Sequence, residues 1–297
     1  MSSAESRAPA QTPLRGFFAS RDGLQLYHEI WPAAAPVRGL ILFVHGFGEH
    51  CGRYGWPIEH LGARGFDAVA FDTRGHGQAA GARGHCYHFE EYLGDLDAAL
   101  ALAAQRAGGK PIFLLGHSHG GLVAVRYLLG RPERAQELRG LVLTSPFFGL
   151  AMKVPAAKLA AGRLVSRVLP RLAMKTNIPA EHLSHERSVV EGYGTDRWVH
   201  GVATARWFTC AMEAQRYCLE HAGELGLPVL LCLAGEDRVA STPHSRALFD
   251  ALRQKDKKLI VYPGFYHEVM NETGRAQVFA DIGAWLEGRL ESRPPAA

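Results

Sequence analysis

The hydrophobic and polar positions of the chain fall into short blocks. Gly16 to Ser20 and Leu24 to Ile30 alternate partially with period two around Arg21-Asp22-Gly23, which predicts an antiparallel hairpin. Six compact apolar runs follow, Gly39 to Val44, Phe66 to Phe71, Pro111 to Leu115, Gly140 to Thr144, Pro228 to Ala234 and Leu259 to Tyr262. Runs of this kind are expected of parallel strands buried on both faces. Segments of helical spacing lie between them, near Tyr54 to Arg64, Phe89 to Arg106, His119 to Leu129, Thr242 to Arg253 and Arg275 to Leu290. The alternation predicts an α/β fold, a mostly parallel eight-stranded sheet with helices on both faces and the hairpin as an antiparallel edge. No fixed-period repeat is present.

One interval breaks the rhythm. Residues 146–206 separate two strands that elsewhere lie much closer together, so this stretch is expected to be an inserted helical cap. The organisation expected is a core of residues 15–145 and 207–292, with a flexible polar N-terminus at 1–14. Within the insertion, Lys153, Lys158, Arg163, Arg167, Arg171 and Lys175 occur with no acidic residue among them. From Arg163 the basic residues recur every four positions, interleaved with Leu164, Val165, Val168, Leu169 and Leu172. That spacing predicts a basic amphipathic helix interrupted at Pro170. Such a helix either rests on an anionic lipid surface or covers the active site with its apolar face while its basic face is solvated.

Composition narrows the class. With 297 residues, 47% apolar and 21% charged, the chain is an ordinary globular protein and needs no disulfide or metal to complete its core. A formal charge of +4, dispersed along the chain, gives no reason to expect a nucleic-acid partner. Cys51, Cys86, Cys210, Cys218 and Cys232 form no CxxC pair, which suits a reducing compartment. The first eighteen residues lack the apolar core of a signal peptide, and no apolar run approaches the ~20 residues that span a bilayer. A cytoplasmic protein is expected, peripheral at membranes if the cap touches lipid.

The chemistry is carried by Gly116-His117-Ser118-His119-Gly120, a G-x-S-x-G between an apolar strand and a helical run. A nucleophile on a tight strand-to-helix turn needs small residues two positions to either side, and the helix N-terminus favours a developing oxyanion. A serine hydroxyl also needs a base, and the base an orienting carboxylate. His267 follows the last strand and Asp237 the strand before it, so nucleophile, acid and base come in the order that accompanies this turn. Glu236 competes for the acid's role; Asp237 is favoured because Arg238-Val239 follow it at the start of a capped helix. The two oxyanion amides are expected from His119 and from Phe47 in His45-Gly46-Phe47-Gly48.

These residues resemble the monoacylglycerol lipase and lysophospholipase branch of the serine α/β-hydrolases. The likeness lies in His45-Gly46-Phe47-Gly48-Glu49-His50-Cys51-Gly52-Arg53-Tyr54, Phe71 to Gly77, Gly116 to Gly121 and Gly264 to Glu268, and it is weak in the cap. The resemblance implies an α/β-hydrolase fold and an esterase acting on a monoacylated lipid through an acyl-enzyme, with no cofactor. It maps the family's polar head-group contacts onto Glu49 and Arg53, which read equally well as an ion pair fixing the loop. Three positions depart from the family: His119 where Met is usual, Met270 where vertebrate monoglyceride lipases place a glycerol-contacting His, and Phe47 where they carry a small residue. A broad carboxylesterase or thioesterase on soluble acyl esters is the alternative with the same machinery. A non-catalytic binding protein of the fold is more remote, because serine, acid and histidine are all present. His76, His85, Cys86, His88, His117 and His119 could supply metal ligands, but none forms an H-x-x-x-H pair on a helix, and no catalytic metal is expected.

Overall fold

A computed structural model of the chain describes residues 12–152, 155–176 and 178–290. Strands β1 (Leu14–Ala19) and β2 (Gln25–Trp31) form the hairpin, followed by β3 (Gly39–Val44), α1 (Gly55–Gly62), β4 (Phe66–Phe71) and α2 (Glu90–Ala107). Then come β5 (Ile112–His117), α3 (His119–Gly130), the single turn α4 (Pro132–Ala135) and β6 (Gly140–Thr144). Between β6 and the next sheet strand the chain forms α5 (Ala156–Val168), β7 (Ala173–Lys175), α6 (Arg187–Thr195), β8 (Val202–Thr204) and α7 (Ala205–His221). The chain closes with β9 (Val229–Ala234), α8 (Thr242–Ala251), β10 (Lys257–Tyr262) and α9 (Arg275–Glu287).

Eight strands make one sheet in the order β1-β2-β4-β3-β5-β6-β9-β10. The hairpin and the β2–β4 pair are antiparallel, and every other pairing is parallel. Burial on both faces explains why the middle strands are almost wholly apolar, the exceptions being Asp67, His117 and Thr144, each hydrogen-bonded. In β3, Leu40, Leu42 and Val44 enter one apolar cluster with α2, α3 and α7, while Ile41 and Phe43 enter a second with α1 and α9. Each strand therefore serves two cores.

The hairpin is fastened by charge. Arg74, in the loop after β4, binds Asp95 of α2 through Nη2 (2.6 Å) and Nε (2.9 Å), and its Nη1 reaches Asp22 and Glu91 at 2.9 Å each. Asp95 is fully buried and also accepts a hydrogen bond from Ser20 Oγ at 2.6 Å.

Some expectations need correction. Leu14, placed in the flexible N-terminus, begins β1; residues 1–11 lie outside those described, as does Lys153. The basic helix is interrupted before Pro170, as its sequence predicts. It ends at Val168, with Leu169 in a non-helical conformation (φ −131°, ψ 64°), because the residue before a proline is driven from the α region. Arg171 and Lys175 thus leave the helix, Lys175 entering β7, which pairs with β8. The large apolar residues of this region do not cover the site either: Leu164, Val168, Leu169, Leu172 and Met174 face solvent, at 46–67% exposure. The face α5 turns to α7 is small, with Ser166 Oγ and Thr209 Oγ1 hydrogen-bonded at 2.7 Å. The boundary drawn at residue 206 falls inside α7. Among the described residues no helix is long and apolar enough to cross a membrane.

Candidate active site

Ser118 stands between β5 and α3 with φ 49° and ψ −115°, a left-handed backbone for a residue with a side chain. Glycine at the positions two before and two after it is a steric requirement. A Cβ on Gly120 would lie 2.1 Å from the carbonyl oxygen of Val44, and one on Gly116 would lie 2.7 Å from that of Gly120. The turn is held by the Ser118 amide donating to Thr144 O (3.0 Å) and the Phe147 amide donating to Ser118 O (2.9 Å).

Loops after three parallel strands meet here, at the carboxyl edge of the sheet. Ser118 Oγ lies 3.0 Å from His267 Nε2, and His267 Nδ1 lies 2.9 and 3.0 Å from the two carboxylate oxygens of Asp237. Asp237 Oδ1 also accepts the amides of Val239 and Ala240 at 2.9 Å, which fixes the carboxylate's orientation. Glu236 points away, its side chain 59% exposed beside Arg238. Burial pulls the His267 imidazole down, but the adjacent Asp237 carboxylate, with Glu268 and Glu49 behind it, outweighs burial and the net shift is upward. Burial pushes Asp237 up in turn; His267 and the two amides reverse this and hold it below the usual carboxylate value.

The loop after β3 brings Phe47 to the same place. Glu49 Oε1 accepts the Gly46 amide at 2.6 Å, and His45 Nε2 accepts the Thr73 amide at 3.0 Å, so the loop is tied from both sides. Among the described residues no acceptor faces the Phe47 or His119 amide. The His119 ring turns into an aromatic box of Tyr92, Trp207, Phe89 and Phe47, with centroids at 4.9–5.9 Å. Both its nitrogens lack hydrogen-bond partners, and burial pushes its pKa down to about 3, so the ring stays neutral at ordinary pH.

Glu49 and Arg53 meet in a buried ion-pair cluster. Arg53 Nη1 contacts Glu49 and Glu268 at 2.7 Å each, and Nη2 contacts Glu268 at 2.8 Å. The Tyr193 ring lies 4.9 Å from the guanidinium carbon, so protein groups occupy this arginine on several sides. Burial pushes the Glu49 carboxyl up, but Arg53, His117 and His45 hold it down, at about 2. Met270 is buried and lines a cavity of about 10 Å³ with Glu49, Tyr54, His117, Glu268 and Asn271. His117 bonds through Nδ1 to Thr144, and His85 to Thr204. Among the described residues no three His, Cys, Asp or Glu side chains converge as a metal site.

Sequence reasoning missed Glu268, His200 and Trp207. Glu268 was visible as the residue after His267, but its partner Arg53 is 215 positions away. His200 and Trp207 reach the site only through the tertiary fold, and no motif marks them.

A strained serine at a strand-to-helix turn, bonded to a histidine that is bonded to an aspartate on a mostly parallel sheet, defines a serine α/β-hydrolase. The sequence profile of the serine aminopeptidase S33 family matches residues 35–274. The chain belongs to that family, and it is a serine hydrolase of carboxylic esters. It is 30% identical over 274 residues to a monoacylglycerol lipase of Mycolicibacterium smegmatis, covering 92% of this chain and 96% of the relative. It is 31% identical over 258 residues to the phospholipase YtpA of Bacillus subtilis, covering 86% of this chain and 98% of that one. Among solved structures it is similar to Paleococcus ferrophilus monoacylglycerol lipase, with TM-score 0.80 and 32% identity over 89% of this chain and 99% of that one.

Proposed function

We propose that the protein releases fatty acid from monoacylated lipids such as monoacylglycerols, with Ser118, His267 and Asp237 as its catalytic residues. The observation that carries this reading is the unbroken chain from Ser118 Oγ to His267 to Asp237 at 3.0 and 2.9 Å. Ser118 Oγ attacks the ester carbonyl carbon as His267 Nε2 takes its proton. The Phe47 and His119 amides hold the oxyanion, and Asp237 steadies the imidazolium. His267 returns the proton to the alcohol oxygen as the ester C–O bond breaks. Water, deprotonated by the same imidazole, then attacks the acyl-enzyme and frees the acid. No step requires a cofactor.

Three observations support a lipid substrate. An apolar groove of about 700 Å³, walled by Phe147, Phe148, Leu159, Phe208, Met212 and Leu219, begins at the residue whose amide binds the Ser118 carbonyl. Its size is that of ligand pockets generally (~300–1,000 Å³). Outside the groove, α5 and the turn after it present the solvent-facing Leu164, Val168, Leu169 and Leu172 beside the exposed Arg163, Arg167 and Arg171. An apolar patch rimmed by cations suits the surface of an anionic bilayer, so the excursion between β6 and β9 serves as a cap that rests on lipid and feeds the groove. Two of the named relatives are monoacylglycerol lipases and the third is a phospholipase.

The test is release of fatty acid from a long-chain 1-monoacylglycerol, beside a short-chain soluble ester, by the wild type, Ser118→Ala, Asp237→Asn and Glu236→Gln. Turnover on both esters is expected, abolished by Ser118→Ala, lowered on the order of 10³–10⁴-fold by Asp237→Asn and unchanged by Glu236→Gln. Activity on the short ester alone replaces the lipase with a general esterase. Loss with Glu236→Gln and not with Asp237→Asn removes the acid assignment.

A further inference from the structure

Trp207 packs against side chains from three of the segments around Ser118, those of Phe47, His119 and Phe147. It lies in the first turn of α7, 5% exposed, with its amide donating to the capping Thr204 Oγ1 at 3.2 Å. Thr204 Oγ1 in turn donates to the Gly84 carbonyl at 3.3 Å, which pins this helix start to the loop beneath it. The indole packs on the Phe47 ring with centroids 3.8 Å apart and planes at 33°. It lies parallel to the Phe147 ring at 6.4 Å and 5.6 Å from the His119 ring. Those three residues carry the amides that flank the nucleophile: Phe47 and His119 toward the substrate, Phe147 on the Ser118 carbonyl.

Phe47 needs such a support. It stands between Gly46 and Gly48, and Gly48 has φ +80°, so the loop's own backbone is permissive. What removes that freedom is packing. The His200 amide donates to Gly48 O at 2.9 Å, and a Cβ on Gly48 would lie 2.6 Å from His200 O, so backbone meets backbone on one side. Among the described residues, the ring that lies closest over the Phe47 face is Trp207, while His76, His200 and His119 stand edge-on to it at 5.1, 5.5 and 5.9 Å.

We propose that Trp207 is a positioning residue that sets the direction of the oxyanion amides, chiefly that of Phe47, by fixing the rings attached to them. This rests on the assignment of Phe47 and His119 as oxyanion donors. Donors stabilise charge only if aimed at where the tetrahedral oxygen will be, and misplacement of about 1 Å costs on the order of 10²-fold in rate. Ground-state binding in the groove does not use that oxygen. Shrinking Trp207 therefore lowers kcat and spares KM.

The experiment compares Trp207→Phe, Trp207→Leu and Trp207→Ala with the wild type on a short-chain soluble ester. It also measures inhibition by an alkyl boronic acid, whose tetrahedral adduct on Ser118 places an oxygen in the oxyanion position. Trp207→Ala is expected to lower kcat about 10- to 100-fold with KM within about twofold, and to weaken the boronate by a similar factor. Trp207→Phe keeps kcat within about threefold, and Trp207→Leu falls between. Thermal melting identifies any variant that does not fold, and the remaining two then carry the comparison. A rise in KM with kcat intact, kcat unchanged across the series, or a fall in kcat without loss of boronate affinity overturns the proposal. Absence of turnover and boronate inhibition that depend on Ser118 in the otherwise wild-type protein removes the underlying assignment instead.

Discussion

At the scale of single residues, the site was legible wherever one local turn imposes the chemistry. Ser118 is marked by Gly116 and Gly120, whose missing side chains are forced by backbone contacts at 2.7 and 2.1 Å. Asp237 and His267 each follow a strand directly, so their convergence needs only the sheet order. The cluster beside them was half legible. Glu49 and Arg53 are four apart and readable as a pair, whereas Glu268 joins through the fold and leaves two carboxylates around one guanidinium. That excess negative charge acts on His267, which must be neutral to accept the serine proton. Its pKa lies above the ordinary 6.5, so activity is present above the shifted value and lost as pH falls through it. Glu268→Gln removes one upward pull and leaves Arg53 less neutralised, and both changes lower the imidazole pKa. The acid limb of kcat/KM is expected to move to lower pH. A limb that stays in place or moves upward contradicts this electrostatic role.

At the scale of elements, the eight strands of the main sheet were recovered to within two residues, the six parallel ones because each is a compact apolar run between turns, whereas the short β7 and β8 were not predicted. The end of α5 was legible because Pro170 marks it: basic residues continue at fourfold spacing, but the residue before a proline leaves the α region and the helix stops at Val168. The fastening of the hairpin was invisible: Arg74, Asp95, Asp22 and Ser20 belong to separate segments and form no motif. Arg74→Met leaves the buried Asp95 carboxylate without its cation, and a loss of about 3–5 kcal/mol is expected in urea unfolding. Arg74→Met combined with Asp95→Leu recovers much of it, since the penalty comes from the stranded charge. A single variant as stable as the wild type would show that the cluster contributes nothing net.

At the scale of the whole molecule, the sheet, its two cores and the placement of chemistry at the carboxyl edge followed from alternation alone. How the excursion from 146 to 206 sits did not, because the face α5 turns to α7 is small and the large apolar residues from Leu164 to Met174 point outward. The lipid-surface role is tested by Leu164→Ser with Val168→Ser, and separately by Arg163→Gln with Arg167→Gln. Each pair is expected to lower activity on monoacylglycerol in anionic vesicles several-fold or more and to leave the soluble ester unchanged. Equal losses on both substrates would remove that role and leave a plain covering segment.

The way this excursion is rooted has a wider consequence. It leaves the carboxyl end of β6, and because β6 and β9 are parallel the chain must cross back through α7 to the opposite edge of the sheet, where Val229 pairs with Leu141. The part before α7 is tied at both ends to loops on the carboxyl edge, the Ala151 amide donating to Val239 O at 3.1 Å and the Thr204 amide to Gly84 O at 2.9 Å, and each doubling of a segment closed in this way costs only about 0.6 kcal/mol. The sheet and α7, with the serine, aspartate and histidine, behave as a chassis, and the segment from Ala151 to Thr204 as an interchangeable fitting. New substrate ranges can therefore be reached by splicing at these two roots, without redesign of the scaffold that performs the reaction.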